Sequence, residues 1–372
     1  MSVSSFDVVR VDRTGARLGR MVTAHGAVDT PAFMPVATHG AVKGVTPAQL
    51  RDVGATIVLS NAYHLAQRPG VETVRALGGI HGLMGWDGPI LTDSGGFQVM
   101  SLADLVRVDD SGVQYRSHVD GRAGRLDPED AVSVQEALGV DIAMSLDECV
   151  PATASAEDVR RAVARTTAWA RRGMAARTRP ETALFGIVQG GFDPALRAES
   201  AGDLTALGFD GYAVGGLSVG EPPPETARVA AATVALLPRE RPRYLMGVGT
   251  PADLIHFVAM GYDLFDCVLP TRNGRNGMLF TRQGKLMIRN AAHARDANPV
   301  EDGCECYTCT HFSRGALRHL VLAREMLGAQ LATVHNLHFY LRLMREVRAD
   351  LAAGTFPMRA AAVGGAWAQE GR

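Results

Sequence analysis

The sequence predicts an α/β fold, a (β/α)8 TIM barrel with antiparallel strands in front of it and a separate Cys/His-bearing unit behind. Three observations carry this prediction. Amphipathic segments open on Ser, Thr or Asp, often followed by Pro, and close on Gly, which are helix start and stop signals. A near-continuous apolar run follows each, as strands covered on both faces require. Eight such runs occur, at 33–36, 57–60, 89–92, 142–146, 184–188, 212–215, 244–247 and 264–268. Eight βα units suit a closed barrel better than an open sheet.

The elements follow in order. Residues 6–12, 17–24 and 27–34 read as short strands around turn signals such as Asp12-Arg13-Thr14-Gly15, a small antiparallel cover. Thr46-Pro47-Ala48-Gln49 has capping-box spacing, and Gly54 ends that helix before the second run. Asp127-Pro128 to Gly139 precedes the fourth run, Asp193-Pro194 to Gly208 the sixth, and Thr250-Pro251 to Gly261 the eighth. Residues 105–118 read as a hairpin inserted after the third run. The expected division is a barrel over 1–300, a metal-binding helical subdomain over 301–345, and a helix end over 346–372 that trails from 360 into an Ala/Gly-rich loose tail.

Composition narrows the class. With 372 residues, 47% of them hydrophobic and 21% charged, the chain is an ordinary globular protein with a sizeable core. A net charge of −1 supplies no global basic field. Locally the balance differs: Arg272, Arg275, Arg282, Lys285, Arg289 and Arg295 follow Cys267 with no acid before Asp296. Such a run is either a solvated face or an anion-binding surface. The first fifteen residues lack a signal-peptide apolar region, and no window reaches the length of a membrane span. The expectation is a cytoplasmic chain with no membrane partner.

The residues that end the apolar runs are Asp93, Asp147, Gln189, Gly216, Met246 and Asp266. A barrel gathers its strand ends at one mouth, so these six face a common site. Asp266 precedes Thr271-Arg272-Asn273-Gly274-Arg275, read as a Gly/Asn-rich turn. A carboxylate beside a cationic loop suits chemistry on an anionic polymer; the bland alternative is an Asp capping a turn. Asp93 runs into Ser94-Gly95-Gly96-Phe97-Gln98, where glycines admit a ligand to the backbone and Phe97 offers a flat face. A tight turn with a core Phe is the competing reading. Cys304, Cys306 and Cys309, with histidines downstream, read as a closed Cys3His zinc site of structural role. Spacing leaves the fourth ligand open among His311, His319, His335 and His338. Cys149 and Cys267 are expected on barrel strands as buried, inert thiols.

These residues carry a resemblance. The stretches 91–98, Asp147-Glu148-Cys149, 186–191, Gly215-Gly216-Leu217, 244–251, 265–272 and the C-x-C-x2-C cluster with its distant His are similar to those of bacterial tRNA-guanine transglycosylases, also called queuine tRNA-ribosyltransferases. The likeness runs in order from about Pro31 to His338. It implies exchange of guanine at wobble position 34 of GUN-anticodon tRNAs for a 7-deazaguanine by double displacement. Asp266 is then the nucleophile and Asp93 the general acid/base. The base pocket is Ser94, Gly95, Gly96, Phe97, Asp147, Gln189, Gly216, Leu217 and Met246. RNA contacts fall to Gly247, Val248, Gly249, Thr250, Pro251, Ala252 and Asp253, and to Thr271, Arg272, Asn273, Gly274 and Arg275. One structural Zn2+ per chain sits on Cys304, Cys306, Cys309 and His335, and a homodimer forms around that unit. Cys149 and Leu217-Ser218-Val219-Gly220 follow the bacterial pattern, which implies preQ1 as the incoming base, with queuine the alternative. Retention of both acids argues against a catalytically inactive tRNA-binding partner subunit.

Overall fold

A computed structural model describes residues 5–101, 106–117 and 121–366. Strands β1 (Ser5–Val11), β2 (Arg17–Thr23) and β3 (Gly26–Thr30) form an antiparallel sheet. Then come β4 (Ala32–Met34), β5 (Val36–Ala37), β6 (Val58–Asn61) and β7 (Ile90–Asp93). An inserted meander of β8 (Val106–Asp109), β9 (Gly112–Arg116) and β10 (Ala123–Leu126) interrupts the series. The barrel resumes with β11 (Ile142–Met144), β12 (Ala183–Val188), β13 (Gly211–Val214), β14 (Arg243–Leu245) and β15 (Leu264–Asp266).

The parallel sheet runs β4-β15-β14-β13-β12-β11-β7-β6-β5. Because only Pro35 separates β4 from β5, the row closes on itself as the expected barrel. Pro35 has no N–H to give, but its carbonyl accepts from Leu59 N at 3.0 Å, so the break costs the ladder little. The strand read as 27–34 divides for the same reason. At Pro31 it leaves the antiparallel cover, and Ala32 onward pairs with β15.

A core fills the barrel. Inside it, Met34, Leu59, Leu91, Met144, Ile187 and Tyr244 pack together, with Met21 and Val28 of the cover closing the bottom. Each such fully buried side chain stabilises the fold by about 1.5–3 kcal/mol. At that bottom end His25 and His81 stack at 3.6 Å over Asp141, which accepts from His25 Nδ1 at 2.9 Å and from Ile90 N at 2.9 Å. The near-parallel rings leave no common point for two in-plane nitrogen lone pairs, so this cluster is a hydrogen-bonded clamp.

The inserted hairpin gains a third strand, β10, because Gly124 lets that strand pass over the Tyr115 ring; a Cβ there would lie 2.6 Å from it. Residues 105 and 118 of the expected hairpin lie outside the described residues. The hairpin tip is pinned by Trp169 Nε1 to Asp110 O at 3.0 Å. Past the barrel, β16 (Met278–Thr281) and β17 (Gly284–Met287) lead to a small core of Leu279, Ile288, Val300, Leu317 and Val321. The helix Met326–Ala353 joins this unit to the barrel. Its Asn336 bonds Phe280 N, Pro270 O and Met278 O at 3.0 Å each, and its Tyr340 Oη donates to Gly249 O at 2.6 Å. The stretch read as a loose tail from 360 begins inside a helix, Phe356–Ala366, anchored by fully buried Phe356; its alanines favour helix. Residues 367–372 lie outside the described residues. No described helix is long and apolar enough to cross a membrane.

Candidate active site

The C-terminal ends of the barrel strands bring the expected residues together. Asp266 ends β15. Its Oδ1 accepts from Tyr244 Oη at 2.6 Å and from Gly247 N at 2.9 Å, and both donors favour the carboxylate. Burial outweighs them and raises its pKa above the ordinary carboxylate range. Both bonds fall on Oδ1, which leaves Oδ2 without a protein donor among the described residues. Tyr244 lies at the middle of β14 with its side chain directed into the barrel, so the hydroxyl reaches the nucleophile candidate from below.

Asp93 ends β7. Its Oδ2 accepts from Asn61 Nδ2, at the neighbouring end of β6, and from Gln98 Nε2 at 3.0 Å. Its Oδ1 is buried with no partner among the described residues. Burial pushes this carboxyl up to about 7, and the charge of Asp266 adds to the rise. Asp93 is therefore poised to hold or release a proton near neutrality.

Asp147 lies three residues past β11 and is 6% exposed. It accepts from Ser94 Oγ at 3.3 Å and from Gln189 Nε2 at 2.7 Å. Burial pushes it up to about 6 against those two donors. Gly96 has to be glycine, because a Cβ there would stand 2.1 Å from Asp147 Oδ1. Gly216, at φ +67°, has the same constraint: a Cβ would meet Gln189 Oε1 at 2.4 Å. Leu217 is buried beside it. Glu221 fixes the loop that follows by accepting from Ser218 N and Val219 N at 2.5 and 2.9 Å. Met246 packs at the top of the barrel interior, whereas Phe97 is 57% exposed.

The residues expected to meet RNA divide. Gly247 is exposed, and Thr250, Ala252 and Asp253 are half-buried, but Val248, Gly249 and Pro251 belong to the core. At Gly249 a Cβ would collide with Cys267 Sγ at 2.0 Å. The Gly/Asn-rich turn after Asp266 is instead a helix, Leu269–Arg275, with Pro at its N-terminus. Thr271 and Gly274 are buried on its inner face. Gly274 permits contact with the helix Met326–Ala353, where a Cβ would lie 2.9 Å from Thr333 N. Arg272 is exposed, Asn273 and Arg275 half-buried, and Arg275 Nη1 has no partner among the described residues. Neither Cys149 nor Cys267 is on a strand: Cys267 directly follows β15, and Cys149 lies in the loop after β11. Cys149 is only half-buried, though burial still pushes its thiol up to about 12.

The metal cluster resolves which histidine completes it. His335 Nδ1 stands 3.9, 3.5 and 3.3 Å from the Sγ atoms of Cys304, Cys306 and Cys309. All four ligand atoms lie within 4.8 Å of one another. A tetrahedral zinc with ordinary Zn–S and Zn–N bonds sets an S···N edge of roughly 3.5 Å. His335 Nε2 lies 2.8 Å from Phe280 O, which holds the proton there and leaves Nδ1 free to ligate. The donor set fits a closed structural metal site.

The profile of the queuine tRNA-ribosyltransferase family matches residues 12–366. The chain belongs to that family. A queuine tRNA-ribosyltransferase of Desulforudis audaxviator is 55% identical over 353 residues, 94% of this chain and 95% of its own. One from Pelotomaculum thermopropionicum is 53% identical over 354 residues, 95% of this chain and 96% of its own. One from Listeria monocytogenes is 52% identical over 350 residues, covering 94% and 92%. Membership makes the chain a pentosyltransferase, and the resemblance read from its motifs stands.

Two residues at this candidate site carry no role in the sequence reading: Asn61 and Tyr244. Asn61 sat one place beyond a predicted run. Tyr244 opens a predicted apolar run with no role of its own, although its two-residue spacing from Met246 puts both on one face of the strand.

Proposed function

We propose that the protein exchanges guanine at wobble position 34 of GUN-anticodon tRNAs for preQ1, through a covalent ribosyl–Asp266 intermediate. The observation that carries this reading is the contrast between two carboxylates at one barrel mouth. Asp266 is oriented by two donors on a single oxygen, whereas Asp93 is held near 7 by burial and by the Asp266 charge. Asp266 attacks C1′ of the target ribose as the glycosidic C–N bond breaks, and protonated Asp93 delivers its proton to the departing guanine. The Asp93 carboxylate then takes a proton from the ring nitrogen of the incoming base. That nitrogen attacks C1′ and releases Asp266. Two displacements retain configuration at the sugar.

Recognition of the flipped base follows from donor and acceptor placement. Asp147 accepts from N1–H and the exocyclic amine; the Gln189 amide and Gly216 N–H donate to O6. Phe97 and Met246 cover the two faces, with Ser94, Gly95, Gly96 and Leu217 shaping the walls. Arg272, Asn273 and Arg275 hold the phosphates around the wobble nucleotide, and Gly247, Thr250, Ala252 and Asp253 line the RNA path beside them, Asp253 by bracing Thr250 rather than by touching phosphate. Cys304, Cys306, Cys309 and His335 hold one zinc ion whose role is structural, and the surrounding unit supports a homodimer.

Uptake of radiolabelled guanine into unmodified tRNA-Asp or tRNA-Tyr tests the reading, with Asp266→Asn as control and preQ1 or queuine as competitor. Uptake by the natural protein alone, blocked better by preQ1, supports it. Better competition by queuine reassigns the incoming base. No uptake by folded, metal-loaded protein leaves a tRNA-binding partner subunit as the reading to pursue.

A further inference from the structure

Beneath the Gln189–Gly216 side of the pocket lies Arg197, on the helix Pro194–Leu207 and only 1% exposed. Among the described residues no carboxylate pairs with it. Its Nε donates to Gly191 O at 2.9 Å, and its Nη1 to Val188 O at 2.9 Å and to Gly215 O at 2.8 Å. Nη2 is buried without a partner among the described residues. Burial pulls the guanidinium down to about 10, so it stays charged at neutral pH. A buried, unpaired cation is costly, and an apolar side chain of similar volume would ordinarily serve packing better. Its three carbonyl partners belong to the ends of β12 and β13 and the loops that follow them, the elements that present Gln189 and Gly216.

The Gly215 carbonyl and the Gly216 N–H are two ends of one peptide unit. A charged donor on that carbonyl polarises the unit and strengthens its N–H as a donor. The unpartnered Nη2 also points toward this peptide: a Cβ on Gly216 would lie 3.5 Å from it. Ser200, one turn along the same helix, accepts nothing from the pocket side chains but takes the Gln189 N–H at 3.2 Å, so one helix steadies both donors.

We propose that Arg197 is a positioning residue for base exchange: it polarises the Gly215–Gly216 peptide so that the Gly216 N–H binds the O6 of guanine and stabilises the charge that gathers there as the base departs. The inference rests on the pocket reading given under Proposed function. Negative charge on the leaving purine spreads to O6, where a preorganised donor backed by a fixed cation acts most strongly.

The test compares guanine with 6-thioguanine, which keeps N1–H but offers a weak sulfur acceptor at position 6. Inhibition constants for both are measured against labelled-guanine exchange, in the full-length metal-loaded protein and in Arg197→Gln and Arg197→Lys. The natural protein prefers guanine. Arg197→Gln loses about tenfold of that preference, the scale of one hydrogen bond to a charged group, while 6-thioguanine binds as before. Arg197→Lys, which keeps the charge but not the planar fork, falls between the two, and this variant carries the test alone if Arg197→Gln does not fold. Equal weakening of both bases, or an unchanged preference in Arg197→Lys, overturns the proposal and leaves Arg197 as a structural tie. No guanine exchange by the natural protein overturns the pocket reading itself, a distinct outcome.

Discussion

Tyr244 Oη donates to Asp266 Oδ1 across 2.6 Å, on the same oxygen that receives Gly247 N. The phenol is 1% exposed, and burial, with the neighbouring Asp266 charge, raises its pKa well above the usual value, so it serves as a fixed donor. It aims the nucleophile candidate and favours its charged form. Tyr244→Phe removes one hydrogen bond to a charged group and lowers the exchange rate roughly tenfold to a hundredfold. The acidic limb of the rate profile moves to higher pH, because Asp266 loses a donor that favours its ionised form. Single-turnover kinetics across pH check this; an unshifted limb contradicts it.

Asp93 at about 7 and Asp147 at about 6 are both raised by burial from 3.8. A carboxyl with a raised folded-state pKa binds more protons folded than unfolded. Its contribution to stability is complete below about pH 4 and is lost as pH rises through 6 to 7. For well-buried Asp147 the loss is on the order of 3 kcal/mol. The melting temperature of the substrate-free protein therefore falls between pH 5 and pH 8. Asp147→Asn flattens that fall, since Ser94 and Gln189 can each rotate to suit an amide. A profile unchanged by the substitution refutes the assignment.

Phe97 is 57% exposed at a site whose other residues are buried or half-buried. A ring left open in the base-free protein and closed over a bound purine gives base affinity without touching the chemistry. Phe97→Ala raises KM for the free base by about tenfold, the scale of one stacking contact, and leaves single-turnover formation of the covalent species within a few-fold of normal. Steady-state and single-turnover rates measured side by side separate the two effects.

How far the sequence spoke depended on how local each signal is. The expected caps at Thr46, Asp127, Asp193 and Thr250 all accept backbone N–H groups at their helix starts, because a cap and its helix are neighbours in the chain. The strand ends Asp93 and Asp266 were legible for the same reason. Gly274 was not: read locally it marks a turn, yet its lack of a side chain serves a helix far along the chain. Asn61 acquires its meaning only when β6 lies beside β7, and Arg197 only when β12 and β13 bring three carbonyls to it. The choice of His335 over three other histidines likewise needed the fold, since spacing cannot say which imidazole is buried against the cysteines.

The closed Cys3His cluster sits where the helix Met326–Ala353 meets β16, and its His335 shares that helix with Asn336 and Tyr340. Loss of the ion therefore loosens the helix that supports the loop after Gly247 and the segment after Asp266. Elemental analysis finds one zinc per chain, and Cys309→Ser loses it. Removing a closed zinc site costs several kcal/mol, so the variant melts at markedly lower temperature, and chelation does the same to the natural protein. Full metal content in Cys309→Ser contradicts the ligand assignment.

The proposed reaction passes through a covalent bond between ribose and Asp266. The direct measurement is mass spectrometry of peptides from protein incubated with unmodified tRNA, stripped rapidly of released guanine and digested with nuclease and protease. The expected outcome is a ribonucleotide increment on the peptide carrying Asp266, lost in Asp266→Asn and reversed by added guanine before digestion. An increment on the peptide carrying Asp93, with the Asp266 peptide unmodified, would contradict it.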